Sequence, residues 1–175
     1  MSRDRDELDL TSRLILGGIA GFVATLAMTS AMRRMHRKLP AKERYPLPPR
    51  ELTERTLAPP AGLAPDLTLA AHFAYGAGCG ALLAAVNPGM GRVAGALAGG
   101  GIWLASYMGW IPAFGLLKPA TEHPRRRNLV MLGAHFAWGW STAEGMRELG
   151  KARTTIFAAG PARDAPSNGP AKSSA

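Results

Sequence analysis

The chain has 175 residues, a formal net charge of +9 and 19% charged residues, and its mean hydropathy is −0.01. These averages would suit a soluble domain, but the charged residues form blocks separated by long uncharged runs. Soluble helices and strands instead spread their charges along one face. The distribution excludes an ordinary soluble fold and predicts an all-α integral membrane bundle of four transmembrane helices.

In chain order, the predicted spans are residues 14–32, 67–86, 93–111 and 129–146. The first run lies between Arg13 and Arg33 and would cover roughly 28 Å at about 1.5 Å per residue. It is longer than the usual core of a cleaved signal peptide, so we expect it to be retained. Pro112 is expected to end or kink the third span. The fourth span is short and needs Glu144 near the interface or in a protected groove.

The remaining segments are predicted to lie outside the membrane domain of residues 14–147. They are an N-terminal segment 1–13, a basic loop 33–65 within that domain, and a tail 154–175 that is too poor in apolar residues to pack and is expected to be disordered. In the basic loop, Pro48 and Pro49 indicate the start of a short helix at the membrane surface.

Lys and Arg are more numerous in loops one and three than in loop two and near the termini. The positive-inside rule therefore predicts loops one and three in the cytoplasm and both termini outside. Cations beside spans attract anionic lipid headgroups, so the lipid bilayer is the expected partner and nucleic acid is not.

A short internal repeat links the second and fourth predicted helices. Residues 71–76, AHFAYG, recur as residues 134–139, AHFAWG, with one aromatic exchange. A looser GxxxG match relates residues 17–21 to residues 95–99. The pattern predicts two hairpin repeats that run parallel across the membrane.

Small residues at every fourth position allow helix backbones to approach closely in lipid. We expect helix packing through glycines of the first three spans, and association into a homo-oligomer through strips that one copy leaves uncovered. The glycines are Gly17, Gly21, Gly76, Gly80, Gly91, Gly95 and Gly99.

Two histidines are the main candidates for a functional site. His72 and His135 occupy equivalent repeat positions and should lie at matching depth. A neutral imidazole that bonds a neighbouring helix, a proton or solute pathway, a metal ligand and a haem ligand all remain open. With Tyr75, Trp138 and Glu144 the histidines would form a polar seam.

A metal site would need more ligands than the histidine pair. Glu122 and His123 precede the fourth span on the same predicted side, so the hypothetical metal set is His72, His135, Glu122 and His123. The spacing matches no established motif, and no cofactor is predicted. The sequence also has no phosphate-binding loop, nucleophile elbow or HExxH helix, so an enzyme is not the favoured reading.

Several segments resemble one family. They are Leu47 to Glu51, the AHFAYG segment, and residues 107–112 (YMGWIP), 119–124 (PATEHP) and 135–139 (HFAWG). Over residues 14–147 the chain resembles small four-helix bacterial inner-membrane proteins related to the YagU-like family of unknown function. The resemblance implies a multi-pass protein of the bacterial inner membrane and supplies no reaction. We expect membrane interaction or small-solute or proton permeation, with metal or haem binding by His72 and His135 as the alternative.

Overall fold

The computed structural model describes residues 8–158, and within that range the chain forms helices without strands. Its α-helices are α1 (Leu10–His36), α2 (Pro48–Leu57), α3 (Ala64–Val86), α4 (Arg92–Leu104), α5 (Ile111–Ala113) and α6 (Arg125–Thr154). The all-α prediction is thereby confirmed. Helices α1 and α3 are long and apolar enough to cross a membrane. Residues 1–7 lie outside the described residues, and so does the predicted disordered tail 154–175 from residue 159 onward.

Local sequence explains where the first helices begin. Asp9 precedes α1 and accepts a hydrogen bond from the backbone N–H of Ser12 at 2.9 Å, which caps the helix. Hydrogen bonds from Ser12 also lower the pKa of Asp9. Helix α2 begins at Pro48, and the N–H that proline lacks would have no partner within the helix at this first position. The basic loop 33–65 is therefore partly helical, because α1 extends to His36 and α2 lies within it.

The third predicted span is not a regular helix. Helix α4 continues into a π-helical segment, Ala105–Trp110, and then into the single turn of α5. The backbone leaves helical geometry at Gly109, at φ −108° and ψ −106°. Pro112 lacks an N–H and its ring crowds the carbonyl four residues earlier, at Met108. The kink expected at the proline therefore falls three residues before it.

The helices pack in the spatial order α3, α1, α6, α4. In the α1–α3 seam, a Cβ on Gly21 would collide with the carbonyl oxygen of Gly76. In the α4–α6 seam, a Cβ on Gly95 would lie 2.5 Å from the carbonyl oxygen of Gly139 and 2.6 Å from the Cβ of Ala143. Glycine is required at these positions because backbone, which cannot move aside, occupies the space.

Most of the predicted packing glycines lie in these two seams. Gly17, Gly21, Gly76 and Gly80 meet one another between α1 and α3, and Gly95 and Gly99 meet α6. Gly91 differs, because it precedes α4 and a Cβ there would meet nothing within 4 Å. Gly91 therefore lies outside both seams, because α4 begins one residue later.

Trp138 joins the two helix pairs at the centre of the molecule. Its indole N–H donates to the carbonyl of Gly21 and to the hydroxyl of Thr25, at 3.2 Å each. The ring is buried with Met28 and Met131 in the core between α1 and α6. This contact fills the α1–α6 seam along its middle.

Candidate functional site

A cavity of about 270 Å³ occupies the side of the bundle where the helices do not close. Helices α3 and α4 are not a packing pair in the described chain, whereas α1 and α6 are tightly packed behind them. The cavity lies in the resulting gap, with Cys79 on the α3 wall and Ile102 on the α4 wall. Tyr75 and Trp110, which are 45% and 40% exposed, stand at its edge. Its open side therefore faces outward between α3 and the end of α4.

Helix α2 covers the cavity at the loop-one end. Pro48, Leu52 and Thr56 of α2 all line it, together with residues of the bundle helices. Leu52 also packs against the cluster of Tyr107, Ile111 and nearby residues. The segment expected to rest on the membrane surface is thus a cap over an internal space.

The structure brings His72 and His135 to this one cavity, as the repeat suggests. Nδ1 of His135 lies 2.7 Å from the carbonyl oxygen of Met131, one helical turn earlier. A carbonyl only accepts, so Nδ1 carries the proton and Nε2 is the acceptor of the neutral ring. Nε2 of His72 is buried without a hydrogen-bond partner.

Aromatic side chains supply most of the remaining polar atoms around the cavity. The hydroxyl of Tyr75 lies 3.0 Å from that of Ser106, which also accepts from the indole N–H of Trp110 at 3.2 Å. The indole N–H of Trp103 and the hydroxyl of Tyr107 are buried without hydrogen-bond partners among the described residues. Trp103, Tyr107 and Trp110 all line the cavity.

Arg127 anchors the cap to α6. Its side chain is fully buried, and its guanidinium donates to the carbonyl of Tyr45 at 2.9 Å and to the carbonyl of Pro46. It also contacts the carboxylate of Glu51 in α2 at 3.2 Å and lies 3.6 Å above the ring of Tyr45. These bonds fix the approach to α2, because they hold both the segment before the helix and its first turn.

Glu144 does not belong to the same polar seam. It does not line the cavity but lies toward the other end of α6, where Arg92 binds it through two hydrogen bonds of 2.5 and 2.9 Å. Arg147 contacts it at 2.5 Å. The proposed seam therefore consists of His72, Tyr75, His135 and Trp138 at the cavity, and Glu144 is a separate ion-pair centre.

The hypothetical metal ligands are not gathered either. Glu122 pairs with Lys118 at 3.0 Å. His123 lies 3.2 Å from the hydroxyl of Tyr45 and stacks on Tyr107, with ring centroids 5.5 Å apart. Among residues 8–158, no group of three His, Cys, Asp or Glu side chains is arranged to hold a metal ion. The set of His72, His135, Glu122 and His123 is thus split between the cavity and the loops.

Several residues of the site gave no signal in the sequence. Arg127 is one of three consecutive arginines, and only the fold determines which of them points inward. Ser106 and the cavity-facing positions of α2 are likewise unmarked. The double proline at Pro48 and Pro49 located α2 but could not indicate what it covers.

Comparison with protein-family models, with curated proteins and with solved structures finds no match to the chain.

Proposed function

We propose that the chain is a multi-pass membrane protein that takes an apolar small molecule from the bilayer into the cavity between α3 and α4. The observation that carries this proposal is the open side of the cavity, which lies between two apolar helices and beneath the α2 cap. Ligand sites are typically apolar concavities with a few convergent polar groups, and this cavity fits that description. The other properties of the bundle support the membrane setting.

The outer surface of the bundle is apolar where a soluble protein would carry charge. Large hydrophobic side chains are exposed on every long helix, which is unfavourable in water beyond a few hundred Å² but suits contact with lipid. They include Leu14, Ile15, Ile19, Phe22, Val23 and Leu26 of α1, Leu69, Leu82 and Val86 of α3, Val93, Leu97 and Leu104 of α4, and Leu129, Phe136 and Trp140 of α6.

Four spans are proposed although two helices alone satisfy length and apolarity. From Arg92 to Ala113 the chain is helical apart from the Gly109 kink, and at about 1.5 Å per residue this run covers roughly 33 Å. Helix α6 carries its charges near its two ends, outside the uncharged stretch from Leu129 to Ala143. Helix α6 packs directly on α1, and α4 packs on α6.

The proposed repeat consists of two helix hairpins, α1 with α3 and α4 with α6. In this repeat α1 corresponds to α4 and α3 corresponds to α6. The packed seam between α1 and α6 therefore corresponds to the open gap between α4 and α3. Trp138 closes the first seam by bonding Gly21 and Thr25. Its counterpart Tyr75 reaches only Ser106 across the second, where the cavity lies. We infer that the gap is a retained binding space and not a consequence of poor packing.

The setting is proposed to be a bacterial inner membrane, as the YagU-like resemblance implies, with loops one and three in the cytoplasm. Cations at the end of α1 and the start of α6, such as Arg33 and Arg125, would then face anionic headgroups. Permeation receives less support, because near the loop-two end of the bundle Gly95 and Gly139 pack backbone to backbone, and Glu144 is held by two arginines.

The proposal is tested by filling the cavity from α3. Ala71 lines the cavity, whereas Ala74, one turn along the same helix and likewise exposed, does not. We expect the wild-type protein and Ala74→Trp to bind one octylbenzene molecule per chain in native mass spectrometry from detergent, and Ala71→Trp to bind none because the indole occupies the space. Equal binding by the two variants, or no binding by the wild type, would contradict the proposal.

A further inference from the structure

The cavity that we propose as a ligand site has polar atoms but no charged side chains. Among the described residues that line it, the polar groups belong to histidine, serine, threonine, cysteine, tyrosine and tryptophan. An ionised ligand would lose its water without gaining a counterion, which is strongly unfavourable in an apolar space. The lining therefore selects a molecule whose polar group is neutral.

His135 determines which kind of neutral group fits. Because its Nδ1–H is donated to the carbonyl of Met131, the ring offers the cavity an acceptor at Nε2. Among residues 8–158, Nε2 of His135 has no hydrogen-bond partner, and unlike Nε2 of His72 it is not among the fully buried polar atoms without partners. A ligand that satisfies it must donate a hydrogen bond. Ketones, ethers and esters cannot do so, whereas alcohols and phenols can.

We infer that the ligand is a neutral, lipid-soluble molecule with a hydroxyl head group, which donates its hydrogen bond to Nε2 of His135. The inference rests on the proposed function, because it names the class of molecule that the same cavity selects. Long-chain alcohols and alkylated phenols share this chemistry. The ring of Trp103 would contact the apolar body of either.

The test compares each hydroxyl probe with its methyl ether, which has nearly the same shape and no donor. The probes are 4-heptylphenol, 1-decanol and their two ethers, with binding to the full chain in detergent followed by native mass spectrometry. We expect at least one hydroxyl probe to bind about tenfold more tightly than its ether, the value of one good hydrogen bond. A preference for the phenol pair indicates an aromatic ligand, and a preference for the decanol pair indicates an aliphatic one.

Two phenylalanine variants assign the preference to one histidine. We expect His135→Phe to bind hydroxyl probe and ether equally, and the matched variant His36→Phe, at a histidine of α1 that does not line the cavity, to keep the preference. Octylbenzene serves as the control for an intact cavity, since it needs no hydrogen bond and should bind both variants. If the wild-type protein binds octylbenzene but does not distinguish hydroxyl from ether, or if His135→Phe still distinguishes them, this inference is overturned while the proposed function stands. Failure of octylbenzene to bind the wild type overturns both.

Discussion

Arg127 combines complete burial with four contacts to the segment that covers the cavity. Replacing it with methionine keeps the length of the side chain and leaves two carbonyl groups and Glu51 without their donor. We expect Arg127→Met to reduce the free energy of unfolding by about 3 kcal/mol, since one partner of a buried charge network is removed. Thermal unfolding in detergent measures the loss.

The adjacent Arg126 provides the matched control, because it is exposed. We expect Arg126→Met to change stability by less than about 0.5 kcal/mol. If the two variants unfolded at the same temperature, Arg127 would not anchor the cap. The comparison also separates the burial of one arginine from the general loss of a cation at this end of α6.

Asp9 gives a pH-dependent contribution at the other end of the chain. The hydrogen bonds from Ser12 lower its pKa from the model-peptide value of 3.8, so the folded state favours the carboxylate. The stabilisation is present above that value and is lost as the pH falls through the lower pKa of the folded state. We expect Asp9→Ala to lower the thermal midpoint at pH 7 and to match the wild type at pH values well below 3.8. A difference that persists in acid would exclude capping by the carboxylate.

At the scale of single residues, the sequence predicts which polar residues belong to a site better than it predicts where they lie in the fold. His72 and His135 were identified because an internal repeat and an uncharged surrounding mark them, and both line the cavity. The sequence groups Glu144 with the same seam, because it does not show that Arg92, 52 residues away along the chain, lies close enough to bind it. Side chains that act through tertiary contacts, Arg127 above all, can be recognised only from the fold.

Two glycines of α4 test whether α4 packs closely on α6. Gly99 lies against the backbone of His135 and Gly139, whereas Gly101, two residues later, has nothing within 4 Å of its Cβ position. We expect Gly99→Ala to destabilise the protein by about 2 kcal/mol, because the methyl group forces the helices apart. Gly101→Ala should be neutral or stabilising by up to about 1 kcal/mol through helix propensity. Thermal midpoints in detergent compare them, and equal effects would show that this seam is not closely packed.

At the scale of elements, periodicity and turn residues predicted where helices begin more reliably than how they continue. Uncharged length located α1 and α3, and the double proline located α2. The sequence does not predict the π-helical segment after α4, since Pro112 signals a break but not that the backbone leaves helical geometry at Gly109. That segment matters for the site because it carries Ser106 and Tyr107 to the cavity wall.

For the whole molecule, the pairing of helices follows from where backbones can meet. Glycine seams join α1 to α3 and α4 to α6, and Trp138 joins the pairs. The sequence contained the glycines and the repeat, but it could not show that one of the two inter-pair seams is closed and the other open. The open seam is also the one that α2 covers, and the attachment of this cap depends on residues far apart in sequence, such as Tyr45 and Arg127.

The four proposed spans would place consecutive loops on opposite sides of the membrane, which single cysteines can test. Cys79 is the only cysteine of the chain, so Cys79→Ala gives a background for Lys42→Cys in loop one, Asn87→Cys in loop two and Thr121→Cys in loop three. In intact spheroplasts we expect a membrane-impermeant maleimide to label Asn87→Cys alone. Lys42→Cys and Thr121→Cys should be labelled only after permeabilisation, because loops one and three are proposed to be cytoplasmic.

Each departure from this labelling pattern has a separate structural meaning. If Asn87→Cys and Thr121→Cys react from the same side, the run from Arg92 to Ala113 does not cross the membrane, and the four-span proposal fails. If the pattern is complete but inverted, the four spans stand and the orientation is wrong. The α2 cap would then close the cavity from the outer side, because α2 and loop three share one end of the bundle through Arg127 and Glu51. The side from which α2 covers the ligand is therefore fixed by the same experiment that counts the spans.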